Sequence, residues 1–143
     1  MTAVEALQQT LAGEYAAVYC YGVIGGRVST SSYPVLAARV AQAYTTHRGR
    51  RDQLTAMIRD AGAVPVASAV SYELPTPART EAQLTSAATE LEKACARLYA
   101  DMVENTSLLH RQWAIDALAD AAVRQLGFSG APSAFPGVPG LPY

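Results

Sequence analysis

GAVPVASAVSYELPTPAR, residues 62–79, lies between two long periodic stretches and has no helical period of its own. Its prolines, Pro65, Pro75 and Pro77, lack the amide hydrogen that a helix interior needs. Its length decides the topology. The stretch before it, from Pro34 to Gly62, predicts a helix of roughly 40 Å at ~1.5 Å per residue. A tight turn takes only a few residues, whereas this connection, extended at about 3.3 Å per residue, reaches roughly 55 Å. It is long enough to run back along a bundle, so that the next helix starts at the far end.

Two helices are expected on each side of this connection. Thr2 with Glu5 is a capping box that opens the first, and Leu7, Leu11, Glu14, Val18 and Tyr21 follow at spacings of 4, 3, 4 and 3. Gly25-Gly26 is expected to end it. Pro34 opens the second helix, at a position where its missing N–H costs nothing. The stripe of that helix reads Leu36, Val40, Tyr44, His47, Arg51, Leu54 and Ile58, and Gly62 closes it. Thr80 with Gln83 repeats the capping box, followed by Leu84, Ala88, Leu91, Cys95, Leu98 and Met102. Asn105-Thr106-Ser107 breaks the pattern. The fourth helix is expected to bury Leu108, Ile115, Leu118, Ala122 and Leu126 and to end at Gly127. The order short link, long link, short link is that of an all-α, ferritin-like four-helix bundle with a crossover between helices two and three. Residues 1–127 are read as the bundle and 128–143 as a Pro/Gly-rich tail. Phe128, Phe135, Val138, Leu141 and Tyr143 are expected to lay that tail against the bundle.

Composition agrees with one helical domain. The chain has 143 residues, half of them hydrophobic, and 28 alanines, the best helix formers. The formal charge is −1 with no basic block, so no nucleic-acid partner is expected. Cys20 and Cys95 fall in helices and form no Cys-x-x-Cys motif, which fits reduced core cysteines of a cytoplasmic protein. Residues 1–12 lack a basic segment followed by an apolar one, so no leader is expected. The most apolar run, Ala16–Ile24, is too short to span a bilayer.

Four stretches carry a family resemblance: Leu-Ala-Gly-Glu-Tyr-Ala-Ala-Val-Tyr (11–19), His-Arg-Gly-Arg-Arg-Asp (47–52), Tyr-Glu-Leu-Pro-Thr-Pro (72–77) and Ala-Pro-Ser-Ala-Phe-Pro-Gly (131–137). The chain resembles a ferritin-like domain family of unknown function common in high-GC Gram-positive bacteria. The resemblance implies the fold and a cytoplasmic setting. It implies no activity.

Di-iron members of the ferritin-like class place a Glu on each of two helices and a Glu-x-x-His pair on each of the other two. Here Glu14 and His47 stand on inward stripes, but Tyr44 precedes His47 by three residues where a Glu would stand. Glu90 and Glu92 are expected to face away. Glu104 and His110 lie near helix ends, and Asp116 stands beside its stripe. No metal and no cofactor are expected. Glu14, His47 and Arg51 are expected to meet as one polar cluster, either a structural network or a small-molecule site. Arg48, Arg50, Arg51 and Asp52 read as a solvated face with ion pairs. Tyr15 and Tyr19, one turn apart beside the core stripe, are the candidate face for a homodimer. No catalytic residue is assigned. Three functions remain open: a dimeric binding or interaction protein, a metal-free enzyme or small-molecule binder near Glu14 and His47, and a divergent metalloenzyme.

Overall fold

The computed structural model describes residues 1–138. Four helices account for the fold: α1 (Ala3–Arg27), α2 (Pro34–Asp60), α3 (Glu81–Asn105) and α4 (Leu108–Ser129). Both capping boxes form. Thr2 and Thr80 accept from the backbone of Glu5 and Gln83, whose side chains reach back to the cap. Pro34 is the first residue of α2. Gly62 takes a left-handed backbone just beyond the end of α2, at φ 77°.

Helix α1 packs on α2 and α3, and α4 packs mainly on α3. The crossover, residues 61–80, runs the length of α1. At the start of α1, Gln8 bonds the backbone of Val64 and Val66 at 2.7 and 2.8 Å. Further along, Tyr19 leans on Tyr72 and the Cys20 thiol donates to Glu73 O. At its end, Arg27 donates to Ala78 O at 3.0 Å. The chain is thus an all-α, ferritin-like four-helix bundle.

Two helix ends differ from the sequence reading. Gly25 and Gly26 lie inside α1, which continues to Arg27. Gly127 lies inside α4, which continues to Ser129, and Gly130 takes the left-handed cap at φ 72°. The extra turn carries Phe128 into the core, where burying an aromatic ring offsets a mid-helix glycine. Beyond the helix, Gly137 lies tight on α3: a Cβ there would stand 2.4 Å from the Ala96 carbonyl oxygen. Leu141 and Tyr143, expected to anchor the tail, lie outside the described residues.

The larger departure is which residues face inward. The buried residues of α4 are Ala114, Ala117, Ala121, Gln125 and Phe128, while Leu108, Ile115 and Leu126 are exposed. In α2 Ala43 and Arg50 take the inner places read for Tyr44 and Arg51. In α3 Glu92, Ala96 and Tyr99 are buried. Small side chains line the core wherever a long polar or aromatic one needs room, so a reading keyed to bulky aliphatics is rotated around the helix.

Candidate functional site

The apolar core is split in two. Leu7, Leu11, Leu54, Ile58 and Met102 fill one end, and Ile24, Val40, Leu84 and Phe128 belong to the other. Between them lies a polar layer to which all four helices contribute. Its centre is His47 of α2, with no exposed surface. One ring nitrogen, Nδ1, is 2.7 Å from Glu14 Oε2, and the other, Nε2, is 3.0 Å from Glu92 Oε1. Ionised carboxylates only accept, so the ring holds both partners when it carries two protons. Burial alone would lower the pKa of His47; the Glu14 carboxylate and then Glu92 outweigh it and raise it to about 9.

Two tyrosines close the layer. Tyr99 donates to Glu14 Oε1, and Tyr21 donates to Glu92 Oε1 at 2.6 Å. Burial, then the neighbouring carboxylate, pushes both phenols well above their ordinary range, so they stay protonated donors. The Tyr21 ring also stacks on His47, with centroids 5.3 Å apart. Arginines complete the set. Arg50 donates to the Tyr99 hydroxyl at 3.2 Å and to Asp120 at 2.6 Å. Arg124 donates to the same Asp120 oxygen at 2.7 Å and brings its Nε to 3.5 Å from Glu92 Oε1. Three cations, His47, Arg50 and Arg124, thus face three carboxylates, Glu14, Glu92 and Asp120. Burial raises the Asp120 pKa, but the two arginines outweigh it and hold the carboxyl below its usual value. Among the described residues, the buried atoms left without a hydrogen bond are Glu92 Oε2, Arg124 Nε and Thr76 Oγ1.

The residues picked from the sequence fall in different places. Glu14 and His47 are brought together, and Arg51 is not. Arg51 pairs with its neighbour Asp52 at 2.8 Å near the surface, and Arg50 occupies the inner position. His47 sits mid-face, so the residues three and four beyond it both border the core; the side of Arg50 is the one that meets Tyr99 and Asp120. Arg48 lies over the Tyr44 ring. Glu92, expected to face away, is fully buried, and so is Tyr99, at 0 % exposed. The signal for Glu92 was present in Ala88, Glu92 and Ala96, four apart on one side of α3. Tyr15 packs into the end of the core around Leu7 and Leu11, and Tyr19 meets Tyr72, so both have partners within the chain. Cys20 and Cys95 are free and buried.

The chain matches the model of the family described as Domain of unknown function (DUF4439) over residues 6–140, and it belongs to that family. No curated protein sequence matches it. Among solved structures it is similar to a conserved hypothetical protein from Mycobacterium tuberculosis. That pair is 28% identical with a TM-score of 0.81, covering 90% of this chain and 96% of the other. It is also similar in fold to a ferritin-like, diiron-carboxylate protein from Bacillus anthracis. There the identity is 20% and the TM-score 0.78, covering 90% of this chain and 93% of the other. The fold is therefore ferritin-like, and the family is one of unknown function. Among the described residues no helix is long and apolar enough to cross a membrane.

Proposed function

We propose that this chain is a ferritin-like bundle that works without a di-iron centre, as a dimeric binding or interaction protein of the cytoplasm. The observation that carries the reading is the imidazole of His47, held between Glu14 and Glu92. In the di-iron pattern both carboxylates and a histidine nitrogen would turn to metal. Here each nitrogen is already bonded to a carboxylate. The two Glu-x-x-His pairs are reduced to Tyr44-x-x-His47 and to the inward pair Ala121 and Arg124. The Arg124 guanidinium stands beside Glu92, where a metal ion would meet a fixed positive charge. Two carboxylates and one occupied imidazole are a poor donor set for two irons, and among the described residues no cluster of His, Cys, Asp or Glu has metal-holding geometry. The imidazolium and the guanidinium supply the positive charge that metal would otherwise bring. The layer then serves to hold four helices in one register, since each member would be costly to bury alone. The bundle and the tail through residue 138 are read as one domain, with the high-GC Gram-positive setting of the resemblance.

Metal analysis tests this. Protein made in iron- and manganese-supplemented cells is expected to carry well under one metal ion per chain, to lack ferroxidase activity and to melt at the same temperature with or without chelator. Stoichiometric metal lost on changing Glu14 or Glu92 would defeat the reading.

One observation favours small-molecule binding as a second reading. A groove of about 570 Å³ between α1 and α2 is lined by Tyr21, Gly22, Gly25, Tyr44 and Arg48 among others. Tyr21 is one wall of this groove and also bonds Glu92, so a ligand there would lie one side chain from the polar layer. Loss of bound ligand in Gly22→Leu would favour this reading.

A further inference from the structure

Helix α4 is apolar on two sides. Its inner face is alanine, while Leu108, Ile115, Val123 and Leu126 are 87, 43, 69 and 42% exposed on the outer one. The outer stripe is regular. Positions 108, 112, 115, 119, 122 and 126 hold Leu, Gln, Ile, Ala, Ala and Leu at spacings of 4, 3, 4, 3 and 4. This is the seven-residue pattern by which one helix seats on another. Gln112 is its single polar member, and its amide is turned aside to Asp116 at 2.9 Å. A helix with apolar residues on both sides is normally covered on both. Here the described residues cover only the inner side.

We propose that the outer face of α4 is the contact surface for a second copy of this chain, the two α4 helices lying antiparallel about a two-fold axis near residue 117. This rests on the reading of the protein as a dimer and names its surface. The stripe points to a second copy because it complements itself. Under such an axis Leu108 meets Leu126 of the other copy, Ile115 meets Ala119 and Gln112 meets Ala122, so large residues at 112 and 115 face small ones. Isologous pairing of this kind is the commonest route to a dimer. The exposed aliphatic side chains Leu108, Ile115, Val123 and Leu126 offer on the order of 500 Å² per chain, against the ~800 Å² per partner of a standard interface. The Tyr19 side of α1 fits less well, because the crossover already lies along it.

Sedimentation velocity on the full chain from about 1 to 100 μM tests the surface. The parent protein is expected to be a dimer. Ile115→Asp with Leu126→Asp should raise the dissociation constant at least 100-fold and leave helical circular dichroism and the melting temperature of the dilute protein unchanged. Val123→Asp, at the edge of the stripe, should weaken the dimer less, and Tyr19→Glu should leave it intact. A dimer that survives the double substitution but dissociates with Tyr19→Glu would overturn the α4 surface and leave the dimer reading standing. A parent chain that stays monomeric at 100 μM would overturn both, and a stripe that binds a different purified protein in preference to itself would overturn the self-pairing and leave the interaction reading standing.

Discussion

The middle of the core and the outer side of α4 hold the opposite of what polarity alone would put there. The core layer contains Glu14, His47, Glu92 and most of Arg50, all under 10% exposed, while Leu108 and Val123 stand largely in solvent. The contrast shows what decides burial in this bundle. A charged group goes inside when partners of opposite charge arrive from other helices at the same height. An aliphatic group goes outside when the inner position must be small. Ala114, Ala117 and Ala121 allow α4 to approach closely enough for Arg124 and Asp120 to reach the layer.

The polar layer should suffer most from the loss of a carboxylate. Glu14→Ala leaves His47 Nδ1 and the Tyr99 hydroxyl proton without an acceptor, and a loss of about 3–5 kcal/mol is expected by urea unfolding, the range for one-sided removal of a buried pair. Glu14→Gln keeps the shape and one acceptor and should lose less. A Glu14→Ala protein as stable as its parent would remove the structural role of the layer.

Raising the pH should weaken the same layer without mutation. The His47 pKa is about 9 in the folded chain, above its ordinary value of 6.5. A group raised on folding stabilises fully below its unfolded pKa, and the benefit is lost as pH rises through the folded one. Stability should therefore fall between pH 6.5 and about 9 by about 3 kcal/mol, following 1.36 kcal/mol per unit. His47→Gln should flatten that profile. A parent profile already flat across this window would contradict the assignment.

Adjacent arginines sharpen the contrast at a single helical step. Arg50→Ala should lose about 2 kcal/mol, because the Tyr99 hydroxyl and part of Asp120 lose a charged donor. Arg51→Ala should change stability by about 0.5 kcal/mol or less, since its pairing with Asp52 is near the surface. Equal losses would mean that the two side chains share the core.

The effect expected in the tail is local. Gly137→Ala places a methyl group against the Ala96 carbonyl at a backbone φ of 78°. It should free residues 131–138 for limited proteolysis while moving global stability by less than about 1 kcal/mol. An unchanged digestion rate would show that the tail contact carries no strain.

Much of the fold was legible because its signals are local or depend on length. Thr2 with Glu5, Thr80 with Gln83 and Pro34 mark helix starts through their own chemistry, and the proline-bearing crossover announces its reach. Glu14 and His47 could be placed on facing stripes because each stands among large aliphatics. Glu92, Tyr99 and Arg50 carry only a faint signal, because alanines mark their faces, and alanine is at home inside or outside. The choice between Arg50 and Arg51 depends on Asp120, seventy residues away from Arg50 in the chain, and no periodicity contains it.

We propose that a protonated imidazole, not a metal ion, holds the place between Glu14 and Glu92. Nitrogen-15 NMR of the histidine rings reads this directly. At pH 7.5 both ring nitrogens of His47 should carry protons, and the ring should titrate only near pH 9. A His47 ring that is neutral at pH 7.5, with one bare nitrogen or a nitrogen whose signal shifts on adding iron or manganese, would contradict it.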